Sequence, residues 1–516
     1  MGIGTQPESN DAEHAARKER LGDYLNILSG TSQNVIGIVI AAGATFGAQI
    51  LMTRVLGANG FGIVTAMTMG AFVLSFLTRA GMDMAVLRDV AIELGQNRHE
   101  RIRIPVARAN LIATLVSTLV ALVGVVFADQ VRQALSISGP EGRWVVEAAA
   151  LGLPFLALAN VWLSATRGLK IMRYTLYVFW AGQPVMWIVF MLVGWTFSRT
   201  TWMSVLAYSL SWVWAAAMAG YFWRRESRGW SASPLQPGDV SRLIRYAGPR
   251  APAALFSQLL FWTDLFVLRA YVSGAEAGLY SAALRAGQIL VLFLTSVSLM
   301  FSPFVADLHN RGETERLDKL FKALTRWTLA ATMPVFLLLV VVPGPVLRIF
   351  GAEFAGGRTA LLILLAGQFV NVATGSVGFV LIMVGRTGWD LMVYAGSLVL
   401  NLGLAFWLAP RYGMEGAAIA NAVTFALSKW ARLALVRRFV GIQPYDRAYG
   451  RLIVPSLVAL GVMWLVHGLM GGGWALDLAV TTTAGLVAYG AAYLLFGLTP
   501  GERSQASGIL GRMRAG

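Results

Sequence analysis

Asn34-Val-Ile-Gly-Ile-Val-Ile-Ala-Ala-Gly-Ala-Thr-Phe-Gly-Ala-Gln-Ile-Leu-Met-Thr53 carries no ionisable side chain. About twenty such residues, wound as a helix, are long enough to cross the hydrocarbon core of a bilayer. Reading outward from this stretch, the pattern recurs. Spans are expected at 33–53, 62–81, 108–128, 144–165, 175–197 and 202–223, then at 251–271, 277–304, 324–343, 360–384, 388–409 and 414–436. A final pair falls at 452–470 and 474–497. Backbone groups in hydrocarbon must be satisfied within the segment, and these runs are too long and too uniformly apolar for barrel strands. The expected fold class is therefore all-α, a polytopic membrane protein with about fourteen transmembrane helices.

Composition agrees. The 516 residues are 57% hydrophobic and 13% charged, against about 25% charged in soluble domains. Lipid must be the solvent for much of the surface. The net charge of +16 would ordinarily suggest nucleic acid. Here the basic residues lie in short gaps between apolar runs, which points to membrane orientation and anionic headgroups, not nucleic acid. There is no Cys, so disulfides and thiolate metal sites are excluded. His14, His99, His309 and His467 show no metal-ligand spacing. No metal and no cofactor is expected. The first thirty residues lack the apolar core of a signal peptide. Leu21, Tyr24, Leu25 and Leu28 recur at helical spacing and read either as a short amphipathic surface helix or as a loose tail.

When the gaps are numbered alternately, one side collects the positive charge. It holds Arg17, Lys18 and Arg20; Arg88, Arg98, Arg101 and Arg103; Arg167, Lys170 and Arg173; and the basic segment from Arg224 to Arg250. Arg311, Arg316, Lys319, Lys322, Arg386, Arg432, Arg437 and Arg438 fall on it too. The other side holds Arg54, Arg132, Arg143, Arg199, Arg269, Arg348, Arg358 and Arg411. A bias of better than about three to one predicts that the first side, with both termini, is cytoplasmic in an inner membrane.

Arg54-Val-Leu-Gly-Ala-Asn-Gly-Phe-Gly62 and Arg269-Ala-Tyr-Val-Ser-Gly-Ala-Glu-Ala-Gly278 punctuate spans one–two and seven–eight at an offset of 215. Glu100-Arg101 and Glu315-Arg316 repeat that offset. This predicts two parallel six-helix halves around a central cavity, an organisation used by rocking transporters. The expected organisation is a tail at 1–30, an N-lobe at 31–223, a linker at 224–250, a C-lobe at 251–438, an extra helix pair at 439–497 and a tail at 498–516.

Leu51-Met-Thr-Arg-Val-Leu-Gly-Ala-Asn-Gly-Phe-Gly62 resembles the first-loop signature of bacterial polysaccharide flippases, within the multidrug/oligosaccharidyl-lipid/polysaccharide exporter superfamily. Ala80-Gly-Met-Asp-Met-Ala-Val-Leu-Arg88, Gly278-Leu-Tyr-Ser-Ala-Ala-Leu-Arg285 and Ser302-Pro303 add to the resemblance. So do Leu347-Arg-Ile-Phe-Gly-Ala-Glu-Phe354 and Tyr412-Gly-Met-Glu-Gly-Ala-Ala-Ile-Ala420. The resemblance covers roughly residues 31–440. It implies fourteen helices and movement of an undecaprenyl-diphosphate-linked oligosaccharide to the outer leaflet by alternating access. It further implies a monomer that works among membrane lipids with the glycan polymerase and glycosyltransferases of its pathway.

Ionisable groups inside spans cost several kcal/mol unless paired or hydrated, so each is a candidate site. Asp264 and Arg285 lie ten and eleven residues from Gly274, at about 15 Å depth on antiparallel neighbours. Arg285 is expected to grip the lipid diphosphate, with Asp264 orienting it or exchanging a proton or cation; the competing reading is a structural ion pair pinning the hairpin. Arg79 and Asp83 are one turn apart and suit an intrahelical pair. Arg79 and Arg88 are candidates for an inner gate or first diphosphate contact, although Arg88 also suits a snorkelling helix end. Arg54 and Arg269 are outer-gate candidates, or loop caps. No GxxxxGK[ST] run exists, so ATP hydrolysis is excluded for this chain. Energy is expected from a Na+ or H+ gradient, membrane potential or substrate imbalance. Outer loops of at most about 20 residues argue against a glycan polymerase or ligase, so no catalytic residue is expected. A lipid II flippase and a drug or cation antiporter of the same superfamily are the transporter alternatives.

Overall fold

The computed structural model describes residues 8–134, 137, 141–231, 233–234, 238–272, 274–470 and 473–499. Of the expected tails, residues 1–7 and 500–516 lie outside these, as does the Arg269 side chain. All regular structure among the described residues is helical. In chain order the helices are α1 (Glu8–Thr78), α2 (Met82–Gly95), α3 (Arg103–Val126), α4 (Ala128–Ala134), α5 (Gly142–Gly168), α6 (Arg173–Thr175), α7 (Gln183–Trp195) and α8 (Thr201–Glu226). Then come α9 (Asp239–Arg269), α10 (Gly274–Asn310), α11 (Thr314–Val341), α12 (Pro343–Leu347), α13 (Arg358–Thr374), α14 (Val377–Met383) and α15 (Thr387–Val440), and last α16 (Ile453–Leu469) and α17 (Trp474–Ala492).

Among the described residues, ten helices are long and apolar enough to cross a membrane, or eleven if the bent pair Ile63–Thr78 and Met82–Gly95 counts as one span. The protein is thus a multi-pass, all-α membrane protein. Two helices carry two expected spans each. α1 is broken at Gly57 (φ 70°) between spans 33–53 and 62–81, and α15 is broken at Gly413 (φ 53°) between spans 388–409 and 414–436. Residues 21–28 are helical within α1. The basic linker expected at 224–250 is shorter than its charge suggests, because α8 runs to Glu226 and α9 begins at Asp239. Span 360–384 is interrupted at Gly375 (φ 66°), which separates α13 from α14.

The chain forms two compact units. Unit 1 comprises residues 1–258, 296–317 and 379–392, and unit 2 comprises 259–295, 318–378 and 393–516. The ends of α9 and α10, with 379–392, pack with the first eight helices, so compactness follows packing at one end of the helices and not chain order. Each unit has its own core. In unit 1 the largest cluster is rich in small residues, among them Ala48, Ala149, Ala159, Ala207, Ala215 and Ala219. Lipid is as apolar as Leu, so helices associate through close packing and hydrogen bonds in place of the hydrophobic effect. The α5–α8 contact shows this. Ser209 Oγ donates to Ala148 O at 2.5 Å, and a Cβ on Gly152 would sit 2.7 Å from Ser209 Oγ. In unit 2 the cluster joins Tyr280, Leu284, Leu347, Leu361, Ala417 and Met463. It reaches α16 and α17, so the last helix pair is built into this core.

Candidate functional site

In unit 1 the arginine-rich helix ends form a lattice of charge-assisted bonds. It starts where α1 meets α2. Ala80 (φ 50°) and Gly81 (φ 72°) are successive left-handed residues, and the flanking helices bend by 52°. A Cβ on Gly81 would meet Ala247 O at 2.5 Å, so only glycine lets the α9 backbone come this close. Across the bend Arg79 Nη1 pairs with Asp83 Oδ2 at 2.9 Å, while Arg79 Nε donates to Ser75 O at 3.0 Å. The guanidinium also lies 4.4 Å from the Phe76 ring. The expected pair is therefore present, with both groups buried. It staples a bend instead of running along one helix.

Arg88 reaches outside its own helix. Its Nε donates to Met383 O at 2.9 Å, and its guanidinium lies 5.3 Å from the Tyr246 ring. A snorkelling helix end would leave that group in water; here it binds a carbonyl 295 residues away. Tyr246 Oη donates to Ile382 O at 2.9 Å, and Thr387 Oγ1 donates to Tyr246 O at 3.0 Å. Burial raises the Tyr246 phenol above its usual range, which keeps it a neutral donor. Arg250 Nη1 meets the fully buried Asp390 at 3.2 Å. Together these contacts clasp segment 379–392 to α2 and α9.

A second clasp holds the end of α10. Lys170 Nζ lies 2.8 Å from Asp307 Oδ2, and Arg311 gives the same carboxylate two bonds, at 2.8 and 3.0 Å. Lys170 also lies 4.4 Å from the Phe304 ring. Gly95 makes room for this carboxylate, since a Cβ there would lie 1.7 Å from Asp307 Oδ1. Asp307 and Asp390 were not singled out by the sequence. Both sit at span ends, where an acidic residue is unremarkable.

In unit 2, Asp264 is fully buried. Tyr280 Oη donates to its Oδ2, and Asn421 Nδ2 donates to the same oxygen at 2.9 Å. The ion pair of the competing reading, Asp264 with Arg285, is not formed among the described residues. Arg285 is five residues beyond Tyr280 on α10, a rotation of about 140° around the helix. With Tyr280 turned to Asp264, Arg285 points elsewhere and is exposed. Helical rise sets depth along two helices but leaves their rotation open. Asn421 was missed because it lies 157 residues from Asp264.

Arg54 and Arg269 are the outer-gate candidates. Arg54 is exposed beside the α1 break, and the Arg269 side chain is outside the described residues. Glu276, three residues after the loop, accepts from the backbone N–H of Met414 at 2.9 Å and so caps the helix that restarts after Gly413.

A family model described as polysaccharide biosynthesis protein matches residues 27–309. The chain is 24% identical over 259 residues to a probable low-salt glycan biosynthesis flippase of Haloferax volcanii, covering 50% of this chain and 55% of that protein. It is 22% identical over 416 residues to a putative O-antigen transporter of Shigella flexneri, covering 78% and 96%. The match to a probable flippase of Haloferax volcanii is 24% over 257 residues, covering 48% and 52%. The chain thus spans about half the length of the two archaeal relatives and nearly all of the bacterial one. The fold is similar to that of a MATE transporter of Vibrio cholerae in its bent form, with TM-score 0.69, 14% identity and coverage of 82% and 98%. A MOP superfamily transporter from Pyrococcus furiosus gives TM-score 0.70, 12% identity and coverage of 81% and 95%.

Proposed function

The chain belongs to the polysaccharide biosynthesis protein family, and from that premise we propose that it flips a polyprenyl-diphosphate-linked oligosaccharide, of the undecaprenyl type, across the cytoplasmic membrane by alternating access. The arginine-rich side, with both termini, is the cytoplasmic side in this reading. The observation that carries it is Arg285. It is the sole charged residue of α10 between Glu276 and Asp307, and it is exposed within an apolar span. A guanidinium at that depth costs several kcal/mol unless it meets water or an anion. A diphosphate is an anion that a planar bidentate donor can grip through two parallel bonds. A glycan polymerase or ligase finds no support in the relatives, which are named as flippases and as a transporter.

The lattice in unit 1 supplies the gate. Arg88, Lys170 and Arg250 hold segments that lie far along the chain. Opening towards the cytoplasm breaks these bonds; closing remakes them. Coupling to a proton or Na+ gradient falls to Asp264, whose carboxylate is held by two neutral donors, Tyr280 and Asn421. Deleting the protein tests the cargo. Lipid-linked repeat units should accumulate on the inner leaflet, and unchanged intermediates with raised drug sensitivity would assign the chain to drug export instead.

A further inference from the structure

A cavity of about 340 Å³ lies inside unit 1, within the size range of small-molecule sites. Phe72 of α1, Trp187 of α7 and Trp212 of α8 line it. Trp180 completes the wall from Leu176–Gly182, a π-helical segment between α6 and α7. Such wide turns concentrate at functional sites. Pro184, which has no N–H to give, follows one residue beyond the segment, after Gln183. Among the described residues no charged group lines the cavity.

The polar groups there are specific. Trp187 Nε1 donates to Ser204 O at 3.2 Å. Trp180 Nε1 is buried and has no hydrogen-bond partner among the described residues, an arrangement that leaves a costly donor unmatched. Gln183 Nε2 donates to Ser211 Oγ at 2.9 Å, which fixes the orientation of its amide. A wall of aromatic faces with a few fixed donors and acceptors matches one ligand chemistry well. A pyranose ring offers C–H groups on its faces and hydroxyls around its edge. A diphosphate would require cations, and a polyprenyl chain has no use for an indole N–H.

We propose that this cavity binds an uncharged sugar residue of the lipid-linked oligosaccharide, stacked on the aromatic wall, with the Trp180 indole donating to a hydroxyl or acetamido oxygen. The assignment rests on the flippase reading. It separates the cargo's two chemistries, with the sugar in unit 1 and the diphosphate at Arg285.

Binding to the full-length protein in nanodiscs tests this, followed by tryptophan fluorescence. The probes are the polyprenyl-diphosphate oligosaccharide extracted from a strain deleted for the protein and the sugar-free polyprenyl diphosphate. Wild-type protein should bind the glycan-bearing lipid more tightly. Trp180→Phe keeps the ring and removes the donor, and should weaken glycan-lipid binding by roughly five- to tenfold while sugar-free lipid binds as before. Gln183→Leu should act in the same direction. If both variants bind the glycan-bearing lipid like wild type, the sugar site is overturned. Equal losses for both lipids assign the cavity to the polyprenyl chain and also overturn it. Wild-type protein that binds both lipids equally removes the sugar site but leaves the flippase reading intact, whereas binding of neither overturns both.

Discussion

Asp307 lies 2.8 Å from Lys170, 137 residues earlier in the chain, and takes two further bonds from Arg311 within its own segment. The carboxylate is 1% exposed, so its charge depends on these partners. Asp307→Ala removes the charge-assisted bonds but leaves Lys170 and Arg311 partly exposed and able to turn to water, so it should destabilise the folded protein by about 1.5–3 kcal/mol. Lys170→Met leaves both Arg311 bonds in place and should cost only about 1 kcal/mol. Denaturant unfolding in detergent measures both; equal losses would show that the carboxylate is not the centre of the clasp.

Arg250 and Asp390, 3.2 Å apart, belong to the clasp on segment 379–392. If it opens in each transport cycle, linking it should stop the cycle. The chain has no Cys, so Arg250→Cys with Asp390→Cys gives a clean pair for a short cleavable crosslinker. Transport should stop on crosslinking and return on cleavage. Full activity of the crosslinked protein would exclude this contact as a gate.

Arg285→Ala should reduce transport about 100-fold or more while the protein still folds, since the side chain is exposed and pairs with no acid seen among the described residues. Arg285→Lys keeps the charge but loses the planar fork, so partial activity is expected. The assay is appearance of labelled lipid-linked glycan in the outer leaflet. Wild-type transport by Arg285→Ala would remove it from the substrate path.

Asp264→Asn preserves the shape met by Tyr280 and Asn421 but removes the titratable carboxylate. Transport by this variant should lose its dependence on an imposed proton or Na+ gradient. Transport that still follows either gradient would leave Asp264 with a structural role only.

The sequence by itself determined the all-α, multi-pass membrane class and the Arg79–Asp83 pair. Each is local: hydropathy is read along one segment, and residues four apart on a helix are neighbours before any tertiary contact forms. It also placed Asp264 and Arg285 at similar depth, because rise per residue is constant. Only the tertiary structure decided that Asp264 turns to Tyr280 and Asn421, that Arg285 is left exposed, and that Lys170 meets Asp307 and Arg250 meets Asp390. Helical rise sets how deep a residue lies, but helix rotation and choice of neighbour come from packing small residues against one another in a lipid solvent that is itself apolar. The aromatic cavity is not legible in the sequence for the same reason. Its Trp residues read as ordinary span residues until α1, the π-helical turn, α7 and α8 bring their faces together.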